Sequence, residues 1–379
     1  MIVREESVED IIKRLGNEGH IYCYGAGDFG HRFYRDQVFS CLWNYVAKYV
    51  DTSSLKIGTV IGFEGQEKKV ISLKELESLI GVKDVIIITC KNYIPIVEEL
   101  NTISTFKEVT CYVYPELKGY LLDLEKLSVF CPDNFRVEKQ MLIPKVIHFC
   151  WFGKNELNEK HKRCMDSWKK YCSDYDIVRW DESNYDISKN NFMLEAYNSK
   201  KWAYVSDYAR LDIINTYGGI YLDTDVEIIK NFDELLYQNA FCGYQNEKEI
   251  AFGLGFGSTA NNSFVQKIMD EYEQMEFIGE DGNLNLIPCP IIQTNVLKKL
   301  GVAINGQYQC LSDITVYPER VFCGKSQRTR RIHITDMTYA IHHFDASWMD
   351  DADILHRRNR EEQVAIYESY LKDGIRDGI

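Results

Sequence analysis

The sequence predicts an α/β protein made of two units in tandem, and three observations carry that prediction. Short apolar runs alternate with stretches of helical periodicity along most of the 379 residues, the order that builds a sheet covered by helices. Glycines gather where a predicted strand meets a predicted helix, as in Gly25-Ala26-Gly27-Asp28-Phe29-Gly30 and Gly218-Gly219. A charged, helical stretch over Leu121 to Lys139 is interrupted by Pro132 and Asp133-Asn134, which places a domain boundary there. We therefore expect a Rossmann-like α/β domain over 1–130, a linker over 131–142, and a larger α/β domain over 143–379; at about 150 residues per domain the length accommodates this division.

The elements follow in order. His20 to Tyr24 reads as a strand, followed by the glycine turn and a helix, and Tyr45 to Val50 as a second strand ending in Asp51. Asp51 lies where a dinucleotide fingerprint places its ribose-binding carboxylate. Strands at Val85 to Thr89 and Val109 to Val113, with helices at Leu73 to Ile80 and Pro95 to Leu100, complete one mononucleotide-binding half. Because a dinucleotide enzyme uses two such halves, Gly25, Gly27 and Gly30 are expected to serve a tight turn and close helix packing, making this domain a scaffold or regulatory unit. The second unit opens with a strand over Lys145 to Cys150 that runs into Trp151, Phe152 and Gly153, then a helix over Glu159 to Tyr171 and a strand over Tyr175 to Trp180.

Composition narrows the function. Acidic residues outnumber basic ones, 57 to 44, so a phosphate-rich polymer is repelled unless a local basic patch overrides the field, and nucleic acid is not expected as a partner. Aromatics reach 13%, led by 25 Tyr, rings that suit sugar faces as well as a core. No apolar run is long enough for a membrane span, and the opening MIVREESVEDIIKRL has acids where a signal peptide needs basic and then apolar residues, so a cytoplasmic protein is expected, with the inner face of the membrane as a peripheral location. Twelve Cys lack any Cys-x-x-Cys pair and read as buried thiols. The basic run Arg357 to Arg360 reads as a solvated helix face, with weak attraction to anionic lipid as the lesser reading.

The chemistry concentrates between Ala203 and Ile229. Ala203 to Tyr217 reads as a helix stopped by Gly218-Gly219, with Asp207 and Arg210 on one face, where a surface ion pair is the plain alternative. The strand Ile220-Tyr221-Leu222 then runs into Asp223-Thr224-Asp225. On an extended backbone the two acids point the same way and converge on one cation; hard carboxylate oxygens suit Mn²⁺ or Mg²⁺, which keep sites open for a substrate phosphate. Near the other end, Tyr339 to Trp348 reads as a strand ending in His342-His343, followed by Ser347-Trp348. Adjacent histidines on a strand face opposite ways, so one imidazole is expected at the site.

The ordered series I-P-K-x-I-H-x-x-W-F-G, S-D-Y-A-R, Y-G-G-I-Y-L-D-T-D, L-G-F-G-S with N-N-S-F, and H-H-x-x-x-S-W resembles the family 32 glycosyltransferases, the DXD sugar-binding region group. More distantly it resembles the glucosylating domains of large clostridial toxins. The resemblance spans Ile143 to Trp348 and implies a GT-A fold that binds a nucleotide sugar with Mn²⁺ and transfers the sugar with retention. By position, Trp151 would stack on the base, and Asp207 with Arg210 would hold the donor sugar's hydroxyls and diphosphate. Asp223 would contact sugar or ribose and a metal-bound water, Asp225 would ligate the metal, and Tyr221 would line the pocket. His342 would be the late metal or phosphate ligand, and Ser347 and Trp348 would close a loop over the diphosphate. The implied donor is a UDP- or GDP-sugar. The implied acceptor is an oligosaccharide or lipid-linked glycan of bacterial capsule, lipopolysaccharide or another surface polysaccharide. Two other classes stay open: an NAD-type dinucleotide oxidoreductase built on Gly25 to Gly30, and a non-catalytic, metal-dependent carbohydrate-binding protein.

Overall fold

The structure is a computed structural model that describes residues 1–345 and 351–376. It divides into two compact units, one comprising Met1–Glu125 with the chain from Leu355 onward, the other Lys126–Ile354. Both are α/β, the class expected from the sequence.

The first unit holds strands β1 (Ile2–Val3), β2 (Ile21–Tyr24), β3 (Val46–Val50), β4 (Val60–Phe63), β5 (Gln66–Ile71), β6 (Val85–Ile88) and β7 (Thr110–Val113). They form one sheet in the order β1-β7-β6-β2-β3-β5-β4, parallel throughout except for β4 against β5. The interior strand β6 is Val-Ile-Ile-Ile, every residue buried, as a parallel strand covered on both faces requires. Helices α1 (Val8–Leu15), α2 (Asp28–Phe33), α3 (Leu73–Leu79), α4 (Ile94–Thr102) and α5 (Tyr114–Leu127) accompany the strands. The sequence reading missed the β4–β5 hairpin. Its two-residue turn, Glu64-Gly65, has φ of 51° and 76°, the geometry that an Asn-Gly pair signals far more plainly.

The glycine turn is built for packing. A Cβ at Gly25 would lie 2.4 Å from the Cys90 sulfur, and one at Gly30 would lie 2.3 Å from the Gly25 carbonyl oxygen. Asp51 accepts the Ala26 amide at 3.0 Å and pairs with Lys56 at 3.0 Å, so its carboxylate is engaged by the loop itself. One part of the sequence division changes, because the chain from Leu355 belongs to the first unit. In the last helix, Arg360 donates to the buried carboxylate of Glu116 at 2.9 Å, and Tyr367 packs edge-on against Tyr93. Arg360 is therefore an ion-pair partner of a buried acid, where the sequence pattern suggested a solvated face.

The second unit is organised around β8 (Val146–Cys150), β9 (Asp176–Trp180), β10 (Gly219–Tyr221), β11 (Val226–Ile228), β12 (Ala240–Asn246), β13 (Glu249–Ala251), β14 (Phe256–Ser258), β15 (Gln309–Cys310), β16 (Thr315–Tyr317) and β17 (Ala340–His342). The main sheet runs β15-β16-β12-β14-β10-β8-β9 with β13 paired to β12, while β11 and β17 form a separate antiparallel pair. The helices are α6 (Glu159–Tyr171), α7 (Asn191–Asn198), α8 (Trp202–Tyr217), α9 (Ser263–Glu273), α10 (Cys289–Lys299) and α11 (Glu319–Phe322); α12 (Asp351–Arg376) is the last helix named above. Helix α8 buries residues on all sides, Asp207 and Arg210 among them, and so carries two charged groups into the core.

Of the twelve free cysteines, eight are buried, as expected; Cys41 and Cys310 are exposed, and Cys90 and Cys289 are half-buried. Cys41 is exposed although its neighbours Leu42 and Trp43 are buried, because a short 3-10 helix turns successive side chains to different faces.

Candidate functional site

The site forms where β10 ends. Gly218 and Gly219, with φ of 68° and 104°, take the chain from α8 into that strand. The Gly218 carbonyl accepts a hydrogen bond from His148 Nε2 at 3.1 Å, and His148 Nδ1 accepts from the Trp180 indole at 3.0 Å. The indole can only donate, so the imidazole is fixed as the Nε2–H tautomer, and burial pushes its pKa down to about 4. A Cβ at Gly219 would sit 2.9 Å from the same ring nitrogen. The histidine of I-P-K-x-I-H and the glycines of Y-G-G thus form one interlocked turn, a role the sequence reading left unassigned.

Beyond Tyr221 the backbone leaves the strand. Val226 N–H donates to the Asp223 carbonyl at 3.1 Å, closing a turn over Thr224-Asp225. The sequence reading placed the two acids on an extended backbone; a turn, not the pleat of a strand, brings them together. Asp223 is fixed from three sides: its amide donates to the Gly253 carbonyl, its Oδ1 accepts from Tyr221 Oη at 3.1 Å, and that oxygen lies 3.2 Å from Arg210. Arg210 also pairs with Asp207 at 3.1 Å and lies over the Tyr221 ring. The Asp207–Arg210 pair is buried, so the alternative of an exposed surface ion pair does not hold. Burial pushes the Asp207 carboxyl up to about 6 against the pull of Arg210. Tyr221 is buried as well. Its hydroxyl donates to Asp223 and its ring lies under Arg210.

Asp225 faces the other strand pair. β11 and β17 register Val226 opposite His342, which brings His342 Nε2 within 3.2 Å of Asp225 Oδ1. His343 turns the other way, its Nε2 3.0 Å from Glu227. The Asp345 amide donates to Asp225 Oδ2 at 2.8 Å. Burial works to raise the Asp225 pKa, but His342 and that amide outweigh it and hold the carboxyl well below the usual range. Ligand atoms of Asp223, Asp225 and His342 all lie within 4.8 Å of one another. Two hard carboxylates and an imidazole fit a divalent cation of the Mn²⁺ or Mg²⁺ kind. His342 Nδ1 is buried without a hydrogen-bond partner among the described residues.

The surrounding elements hold this cluster in place. Trp168 of α6 donates to the Val226 carbonyl at 2.7 Å, and Ser167 Oγ accepts the Ile228 amide. Trp151, at the carboxyl end of β8, is half-buried; its indole donates to the Asn155 carbonyl at 2.6 Å and its ring meets His161 edge-on. Ser347 and Trp348 lie outside the described residues. Two neighbours escaped the sequence reading. A Cβ at Gly253 would fall 1.9 Å from Asp223 Oδ2, so only glycine leaves room for that carboxylate. Cys289, at the start of α10, places its sulfur 3.8 Å from Arg210. Neither position carries a local pattern; both reach the site through contacts distant in sequence.

Residues 158–242 match the family model described as a glycosyltransferase sugar-binding region containing a DXD motif, a stretch that holds Asp207, Arg210, Tyr221, Asp223 and Asp225. Over 131 residues, 32% of its length, the chain is 33% identical to inositol phosphoceramide mannosyltransferase 3 of Schizosaccharomyces pombe, matching 35% of that protein. Over 127 residues it is 32% identical to an uncharacterized glycosyltransferase of Acanthamoeba polyphaga mimivirus, matching 28% of this chain and 48% of that one. The chain thus spans between a third and a half of the length of these curated relatives. The solved PaToxG glycosyltransferase is similar over 50% of this chain and 77% of its own, with 19% identity and a TM-score of 0.35. Through residues 158–242, the chain is thus similar to the glycosyltransferase sugar-binding regions that contain a DXD motif.

Proposed function

We propose that the second unit is a GT-A type, metal-dependent transferase that moves a sugar from a nucleotide-sugar donor to a glycan acceptor with retention of configuration. The observation that carries this reading is the convergence of Asp223, Asp225 and His342 within 4.8 Å, beside a buried arginine held by two acids. Asp223, Asp225 and His342 would hold the cation, which supplies compensation for the negative charge that develops on the departing diphosphate. Arg210, fixed by Asp207 and Asp223, adds a second positive charge at no reorganisation cost. Asp207 with Arg210 orients the donor sugar, and Trp151 offers a ring face to the base. Retention would follow from same-face attack, with the departing phosphate oxygen taking the acceptor's proton; that Asp223, Asp225 and His342 converge as cation ligands and Asp207 pairs with Arg210 among the described residues supports this route over a covalent carboxylate intermediate. The acceptor we assign is an oligosaccharide or lipid-linked glycan of a cell-surface polysaccharide, and the name of the fission-yeast relative, a mannosyltransferase acting on a phosphoceramide, supports the lipid-linked form. The first unit, with its glycine turn filled by its own side chains, serves as a scaffold.

The test is incubation of the full chain with a panel of UDP-, GDP- and CDP-sugars and Mn²⁺, reading released nucleotide. Release that chelation abolishes and Mn²⁺ restores supports the reading, and an intact donor across the panel in the presence of sugar acceptors would sink it in favour of a carbohydrate-binding protein. Asp225→Ala should lower turnover at least ~100-fold, the scale of removing a charge-stabilising element.

A further inference from the structure

Helix α6 starts beside the carboxylate–imidazole cluster, and its first turn carries Lys160 and His161. Asn158 caps the helix, accepting the amides of Lys160 at 3.0 Å and His161 at 2.9 Å, so the roots of both side chains are fixed. Between them and the cluster sits Asp345. Its amide is the donor to Asp225 Oδ2, and its carboxylate accepts from Lys160 Nζ on one oxygen while the other lies 3.6 Å from His161 Nε2. One carboxylate therefore occupies a basic seat while standing next to another, Asp225, whose charge repels it. His161 is buried, and its Nδ1 has no hydrogen-bond partner among the described residues. Lys160 and Asp345, by contrast, are partly open to solvent, so a ligand can reach the pair.

We infer that Lys160 and His161 form a seat for the diphosphate of the nucleotide donor, and that the Asp345 carboxylate is an internal stand-in for it. This rests on the nucleotide-sugar reading. Asp345 brings a single charge and meets repulsion from Asp225. A diphosphate brings more negative charge to Lys160, and its oxygens are natural partners of a cation held by the same acids. Donor entry exchanges one anion for another at Lys160, and Asp345 swings out of the seat.

The two halves of this ion pair should respond to substitution with opposite signs. Calorimetric titration of the full chain with inorganic pyrophosphate and with UDP, in saturating Mn²⁺, reads them directly. Lys160→Met should weaken pyrophosphate binding by ~10-fold or more, the scale of a lost charge-assisted hydrogen bond, and Lys160→Arg should keep most of it. Asp345→Asn should tighten binding several-fold, because the competing charge is gone. If Asp345→Asn instead weakens binding as much as Lys160→Met, the pair is a structural brace and the inference fails. It fails too if a folded Lys160→Met chain binds pyrophosphate as the parent does; in either case the transferase reading stands. A parent chain that binds no nucleoside diphosphate in Mn²⁺ overturns both.

Discussion

His148 illustrates how a single side chain in this protein does work that its neighbours in sequence do not reveal. It stands neutral between the Trp180 indole and the Gly218 carbonyl, and its pKa is pushed from 6.5 down to about 4 by burial. Because the folded value lies below the unfolded one, the stability this group contributes is complete above about pH 6.5 and is lost as pH falls toward 4, by up to ~1.4 kcal/mol per pH unit. Denaturant titrations of the full chain between pH 4 and 8 should show that slope in the second unit's transition, and His148→Asn should flatten it. Gly253 is the other residue whose role is wholly spatial. Gly253→Ala should cut nucleotide release ~100-fold or more while the far-ultraviolet circular dichroism stays unchanged, because the new methyl group collides with the Asp223 carboxylate and misplaces a group that the proposed chemistry requires. Asp207, Arg210, Asp223 and Asp225 were legible as candidates because they fall on one helix–turn–strand passage with a recognisable order of residue types. Gly253, Cys289, Lys160 and Asp345 carry no such local signal, since long-range packing alone brings them to the same place.

Among the elements, β2, β3, β6 and β7 of the first sheet were read within a residue or two because parallel strands covered on both faces are continuous apolar runs, whereas the short β1 and the β4–β5 hairpin carry no such run. The reading of β10 stopped being reliable where the strand did. Asp223 and Asp225 were expected to converge by pleat alternation, yet the Asp223 carbonyl closes a turn, a feature that Asp-Thr-Asp suits as well as it suits an extended segment. The loop after β8 is the element that the base-binding proposal depends on. If the Trp151 ring is a platform for a base, Trp151→Ala should weaken UDP binding by ~1–3 kcal/mol, and UDP with Mn²⁺ should change tryptophan fluorescence in the parent chain. Unaltered UDP affinity in a folded variant would assign Trp151 to the packing around His161 alone.

For the molecule as a whole, the sequence anticipated two α/β units but not which of them takes the last helix, because an amphipathic, charged helix gives no sign of the surface that covers it. Tyr367 is fully buried in the first unit. Tyr367→Ala should therefore cost about 3 kcal/mol, the range for deleting a large buried ring, seen as faster amide exchange in β6 and β7. All the candidate cation-binding and arginine-pair residues lie in the second unit, so nucleotide release by this variant should match the parent's. The short β11–β17 pairing has a further consequence, for the order in which the chain acquires competence. Asp225 meets the amide of a residue 120 positions later, a contact that must close a long loop before it returns anything. During synthesis, Asp223 and Asp225 leave the ribosome well ahead of His342, and until that strand is added the acids hold only a partial, weak ligand set. On the metal-dependent reading, tight cation capture would thus wait until β17 has been made and has paired with β11, and the cation would act as a late clasp that selects chains in which this pairing has formed over those in which it has not.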